Sequence, residues 1–215
     1  MRATLSLKQH DNLLIESIKL LDGKVPLLAL HQTRMDQARR ALFTKSPVIR
    51  LKSLLPDLSL PTSGVHKIRV EYAERVLKTE VIPYQIRPIN SVRVVDAGQL
   101  IYNRKFADRA GINELFAGRG EADDVLMARN GYLMDTSYAN VALYDGRHWY
   151  TPSYPLLRGV RREKLLKENK VRPAMIRVRD LPNFKRMRVM NAMLSWEEMP
   201  ELDAASVILG EDAGA

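Results

Sequence analysis

The chain has no cysteine. That removes disulfides, thiolate nucleophiles and cysteine-ligated metals in one step, and it fits, without requiring, a cytoplasmic setting. Histidine is scarce. The four present, His10, His31, His66 and His148, show no metal-ligand spacing, so no metal site is expected. There is no Gly-x-Ser-x-Gly elbow, which argues against Ser/His/Asp hydrolysis. No apolar run approaches the roughly 20 residues that cross a bilayer. The opening Met1-Arg2-Ala3-Thr4-Leu5-Ser6-Leu7-Lys8 is too polar and too soon interrupted for a secretory signal. Internal repeats and low-complexity segments are also missing. A soluble, cytoplasmic protein with no membrane partner is expected.

What is present is ordinary globular composition. Hydrophobic residues make up 46% of the 215 and charged residues 27%, enough for one large or two small packed domains. The formal net charge is +9. The plain reading is a solvated basic surface, and the functional one is attraction of anionic small molecules. Basic residues are dispersed, with local density at 158–162 and 177–188. Neither region resembles a zinc finger, a helix-turn-helix or an RNA-recognition motif, so no nucleic-acid partner is expected.

Taken in order, residues 12–21 read as a strand. Asp22-Gly23 is a hairpin signal, and 25–30 reads as a second short strand. From His31 the period becomes helical, with Met35, Ala38, Leu42 and Phe43 on one face. Pro47, Pro56 and Pro61 mark 46–64 as loop, with at most a short helix over 48–55. Residues 66–77 alternate as a strand, with Ile68, Val70 and Tyr72 on one face. A strand at 80–87, interrupted by Pro83, suits a sheet edge. Pro88-Ile89-Asn90 is the expected boundary between domains 1–88 and 89–215. Beyond it, strands are expected at 91–97, 125–128, 132–135, 141–144, 148–151, 175–178 and 189–194. Helices are expected at 108–116 and 160–168. The turns Asn130-Gly131 and Asp145-Gly146 close two hairpins. The acidic, small-residue-rich tail after Asp203 is expected to fray.

The densest run of chemistry-bearing residues extends over 102–162. It contains Tyr102-Asn103-Arg104-Lys105-Phe106-Ala107-Asp108-Arg109, then Asp124-Val125-Leu126-Met127. It continues with Gly131-Tyr132-Leu133-Met134-Asp135-Thr136-Ser137-Tyr138-Ala139-Asn140-Val141 and ends at Leu157-Arg158-Gly159-Val160-Arg161-Arg162. Singly, each piece is commonplace: a lone lysine is usually exposed, an acid ending an apolar run usually caps a turn, and a helix arginine is usually solvated. As an ordered set they resemble the class IV aminotransferases, the fold-type-IV enzymes that use pyridoxal 5'-phosphate (PLP), and within them the 4-amino-4-deoxychorismate lyases. The resemblance covers about 14–50 and 91–194.

The resemblance implies an α+β fold, with a smaller N-terminal α/β domain and a larger C-terminal α/β pseudo-barrel domain. It implies that Lys105, in Lys105-Phe106-Ala107-Asp108-Arg109, is the imine-forming amine and proton carrier. Asp135, where the family usually has Glu, takes the pyridine nitrogen, and Asn140 matches the family's Asn. The shorter Asp demands a closer approach of the ring or an intervening water. Gly159-Val160-Arg161-Arg162 matches the family's Gly-Ile-Thr-Arg stretch, so the backbone N–H groups of Val160 and Arg161 are expected at the phosphate. Arg34, in His31-Gln32-Thr33-Arg34-Met35, matches the phosphate-binding arginine, and Asn191 and Ala192 match a second phosphate turn. Met190 there replaces a residue that is often Thr. Glu16 and Arg109 are candidate substrate contacts; Glu16 stands where many lyases carry Thr and many aminotransferases carry Glu. The substrate carboxylate could be met by Arg109 or Arg161. The implied function is conversion of 4-amino-4-deoxychorismate to 4-aminobenzoate and pyruvate in folate biosynthesis, by a homodimer acting on a small amino-group substrate. Two alternatives stay open: an amino-acid aminotransferase for D-amino or branched-chain substrates, and a non-catalytic or basic binding relative. The segments before 12 and over 46–88 are shorter than the family's, which implies a more open site or closure by a partner subunit.

Overall fold

The computed structural model describes residues 12–210. The expectations for the first eight residues and for the end of the acidic tail lie outside this range. The chain divides into two compact units: Met1–Ile86 with Arg104–Asp108, and Arg87–Asn103 with Arg109–Ala215.

The first unit begins with strand β1 (Leu14–Leu21), helix α1 (Leu28–Leu42) and the short helix α2 (Leu51–Leu54). Strands β2 (Val65–Tyr72) and β3 (Val76–Pro83) follow. The three strands form an antiparallel sheet in the order β1-β2-β3. Leu14, Ile18 and Leu20 of β1, Ile68, Val70 and Tyr72 of β2, and Met35 and Ala38 of α1 make its core. The alternation that marked β2 is thus one buried face, and Pro83 closes the edge strand, where a missing N–H costs no ladder bond.

Two expectations change here. The Asp22-Gly23 turn forms, with φ of 47° and 75° and paired bonds between Leu21 and Lys24. No strand follows it at 25–30. Pro26 lacks the N–H that a ladder needs, and the chain enters α1 at Leu28, so β1 pairs with the distant β2. The expected boundary at 88 also differs, because Arg104–Asp108 returns to the first unit. There Phe106 bridges Leu14 and packs on the core, while Ile15 N and Ala107 N bond to the carbonyls of Lys105 and Leu13.

The second unit holds β4 (Val92–Asp96), α3 (Ala110–Ala117), β5 (Asp124–Arg129), β6 (Tyr132–Thr136), β7 (Asn140–Tyr144) and β8 (Trp149–Pro152). It continues through α4 (Val160–Lys167), β9 (Arg172–Ala174), β10 (Arg186–Met190), β11 (Glu201–Asp203) and β12 (Val207–Ile208). Among the described residues these strands form one nine-stranded mixed sheet in the order β11-β10-β7-β6-β5-β4-β12, with β8 and β9 continuing beside β7. Its middle strands are buried along almost their whole length, as expected of strands covered on both faces. Val92, Leu126, Leu133, Val141, Leu143 and Val189 anchor the main core.

The strand expected at 175–178 is not formed. The segment makes only an isolated antiparallel bridge, Arg177 to Tyr132, while the strand pairing lies earlier, at β9, parallel to β8, and Val178–Asn183 is a 3-10 helix. The tail does not fray directly after Asp203. Asp203 accepts from Ala205 N at 2.8 Å, and β12 pairs parallel to β4. Among the described residues, no helix is long and apolar enough to cross a membrane.

Candidate active site

In the second unit, strand register gathers the sequence-predicted residues at one end of the sheet. Asp135 of β6 pairs with Asn140 of β7, and Asn140 pairs with Met190 of β10. The Asn191-Ala192 turn therefore begins beside Asn140. In that turn Asn191 Oδ1 accepts from Met193 N at 2.9 Å.

Asp135 is 4% exposed. Its carboxylate accepts from Asn140 Nδ2 at 2.7 Å and Leu157 N at 2.8 Å. Burial nevertheless dominates and pushes its pKa to about 7, against these bonds and the nearby Arg162 charge. A carboxylate has more lone pairs than these donors use. A further N–H donor carrying positive charge would relieve the desolvation and favour the charged form.

Helix α4 starts against this row. Asn140 Nδ2 also donates to Leu157 O at 2.8 Å. A Cβ at Gly159 would lie 2.1 Å from Asn140 Oδ1, so only glycine permits this approach. Gly159 offers no side-chain cap. The first-turn N–H groups of Val160 and Arg161 are those for which helix geometry provides no intrahelical acceptor. The helix also presents its positive dipole end here. Arg161 is 7% exposed and its Nε has no hydrogen-bond partner. Burial lowers its pKa, opposed by Glu168, Glu198 and Glu197. Arg162 is also buried, donating to Thr151 Oγ1 at 3.3 Å and to Pro152 O at 2.8 Å.

Arg109 sits at the start of α3 and donates from Nη2 to Ser137 O at 2.7 Å. Asp124 grips the same turn, accepting from Ser137 Oγ at 3.0 Å and Ser137 N at 3.3 Å. Arg109 thus braces the loop that follows Asp135, a role its sequence motif did not suggest.

In the first unit, Lys105 is half-buried on the segment that runs beside β1. Arg34 forms a fork with Glu16, from Nε to Oε1 at 2.9 Å and from Nη2 to Oε2 at 2.5 Å. His31 Nδ1 lies 2.6 Å from the same Oε2. Burial would raise the Glu16 pKa, but the Arg34 charge and the His31 bond outweigh it and bring it to about 2. Burial lowers that of His31 despite Glu16, so His31 is neutral and donates through Nδ1. Glu16 is fully buried, and this geometry favours anchoring of Arg34 over substrate contact.

Sequence reasoning quoted Asp124 and Arg162 within the motif run but gave them, like His31, no role of their own. A usable signal existed only for His31, which stands three residues before Arg34 on one helix face.

A family model described as amino-transferase class IV matches residues 101–198. An uncharacterized Haemophilus influenzae protein is 33% identical over 183 residues, which are 84% of this chain and 97% of that protein. Among solved structures, a candidate 4-amino-4-deoxychorismate lyase from Haemophilus somnus is 27% identical, with a TM-score of 0.80 over 84% of this chain and 96% of its own. A candidate amino-acid aminotransferase from Mesorhizobium loti is 20% identical, with a TM-score of 0.76 over 91% of this chain and 99% of its own.

Proposed function

We propose that this chain, which belongs to the class IV amino-transferase family, is a PLP-dependent lyase that converts 4-amino-4-deoxychorismate to 4-aminobenzoate and pyruvate. The observation that supports lyase chemistry is the likeness to the Haemophilus somnus candidate lyase, whose length the chain spans almost completely. A homodimer in the cytoplasm is part of the same proposal.

The residues present fit PLP. A buried acid raised to about 7 suits a protonated ring nitrogen. The uncapped start of α4, brought close by Gly159, suits a phosphate. Asp135 would hold the ring nitrogen, kept in place by Asn140 and Leu157 N. In the second unit, the Val160 and Arg161 N–H groups and the Asn191-Ala192 turn would be phosphate donors; in the first unit, Arg34 is the candidate phosphate contact. When bound, PLP supplies an electron sink for the carbon that carries the substrate amine.

Lys105 carries the proton chemistry in this reading. Its amine takes the proton from the ring carbon bearing the substrate amine. The electron pair released enters the ring, the C–O bond to the enolpyruvyl group breaks, and the ring becomes aromatic. Lys105 returns the proton to the departing enolpyruvyl carbon, giving pyruvate. Atoms balance with no co-reactant. Incubating the PLP-loaded protein with 4-amino-4-deoxychorismate should release 4-aminobenzoate and pyruvate in equal amounts. Amino transfer to a keto acid, with no 4-aminobenzoate formed, would establish the aminotransferase alternative instead.

A further inference from the structure

We propose that Glu16 and His31 are positioning residues, a buried mount that holds the Arg34 guanidinium in one orientation for an anionic group. This rests on the reading of Arg34 as a contact to the cofactor phosphate.

The mount is built from two elements. Glu16 lies on the core-facing side of β1, while His31 and Arg34, three residues apart on α1, both reach it. The Arg34 fork engages both carboxylate oxygens, which fixes the guanidinium plane against the carboxylate plane. The bond from His31 Nδ1 to Oε2 holds the carboxylate itself, whose terminal torsion is otherwise broad. The side chains of Glu16 and His31 are 0% exposed and that of Arg34 is 15% exposed. Of the three, Arg34 alone reaches outward.

A solvated helix arginine needs no such support. Burying a carboxylate and an imidazole costs desolvation free energy that an exposed arginine would never require. The cost extends to His31 Nε2, which is buried with no hydrogen-bond partner. Surrounding charge keeps the arrangement in one protonation state. Burial, Arg34 and Lys105 all disfavour a charged His31, while Glu16 favours it. With His31 neutral, the Glu16 and Arg34 charges cancel within the mount.

The test titrates apoprotein with PLP and with pyridoxal, which has the same ring and no phosphate. His31→Leu removes the donor and His31→Asn retains one near the Nδ1 position. We expect His31→Leu to weaken PLP binding about tenfold and to leave pyridoxal binding unchanged, with His31→Asn restoring most of the loss. Glu16→Gln, which keeps the shape and removes the charge, should show the same selective loss and serves if His31→Leu does not fold. Arg34→Met is the control for the underlying reading. If Arg34→Met loses PLP selectively while the His31 and Glu16 variants weaken both ligands alike or neither, the mount is overturned and the phosphate contact stands. If Arg34→Met leaves the preference for PLP over pyridoxal unchanged, the phosphate contact fails and the mount with it.

Discussion

Asp135 is an acid whose surroundings oppose its charge, and this has a consequence that can be measured without cofactor. Its folded pKa of about 7 stands above its ordinary 3.8. Between those values the folded chain holds a proton that the unfolded chain has released. Stability contributed by this group therefore falls as pH rises through the window, by on the order of 4 kcal/mol for full ionisation. Thermal unfolding of apoprotein, followed by circular dichroism from about pH 4 to about pH 8, should show this decline, and Asp135→Asn should flatten it. A wild-type profile that the substitution leaves unaltered would contradict the assignment. On the proposed reading, the cationic ring nitrogen of bound PLP would favour the charged carboxylate. Asp135→Asn should then lower turnover far more than it lowers PLP content.

Helix α4 is seated by Leu165 in the core and by the Arg162 bonds to Thr151 and Pro152, and its start is set by the contact of Gly159 with Asn140. Asn140 is held through Nδ2 by both Asp135 and Leu157 O, so it cannot give way freely to a new Cβ at Gly159. Gly159→Ala should destabilise the protein by roughly 1–3 kcal/mol and weaken PLP binding. A urea-unfolding midpoint and a dissociation constant both equal to wild type would show that the close approach is not required. Elements whose cause is local were legible in the sequence. Asp22, Gly23, Asn130, Gly131 and Gly146 all adopt the positive φ that their turns demand, and β2 declared its buried face by alternation. Elements whose cause is a distant partner were not legible. Strands β9 and β12 are three and two residues long and exist through parallel pairing with β8 and β4. The hairpin expected after Asp22-Gly23 does not form, because Pro26 and the start of α1 at Leu28 leave no second strand, and β1 pairs with β2 beyond the helix. The site divides in the same way. Lys105, Asp135, Asn140 and Gly159 fall in contiguous motifs. The Asp124–Ser137–Arg109 brace and the Glu16–His31–Arg34 mount depend on side chains that only the fold brings together.

Across the whole molecule, the proposed cofactor residues divide between the two units. Arg34 and Lys105 belong to the first; Asp135, Asn140, Val160, Arg161, Asn191 and Ala192 belong to the second. Lys105 belongs to the first unit because Arg104–Asp108 pairs back on β1, although the chain on both sides of it belongs to the second. The net charge of +9 is consistent with a phosphorylated cofactor and an anionic substrate, and selects neither. The central claim is that this lysine is the one that carries PLP. The direct test is borohydride reduction of the PLP-loaded protein, followed by proteolysis and mass mapping of the pyridoxyl group. The account predicts a single stoichiometric label on Lys105, and no label after Lys105→Ala. A stoichiometric label on any other lysine, or no covalent label in protein that retains PLP, would contradict it.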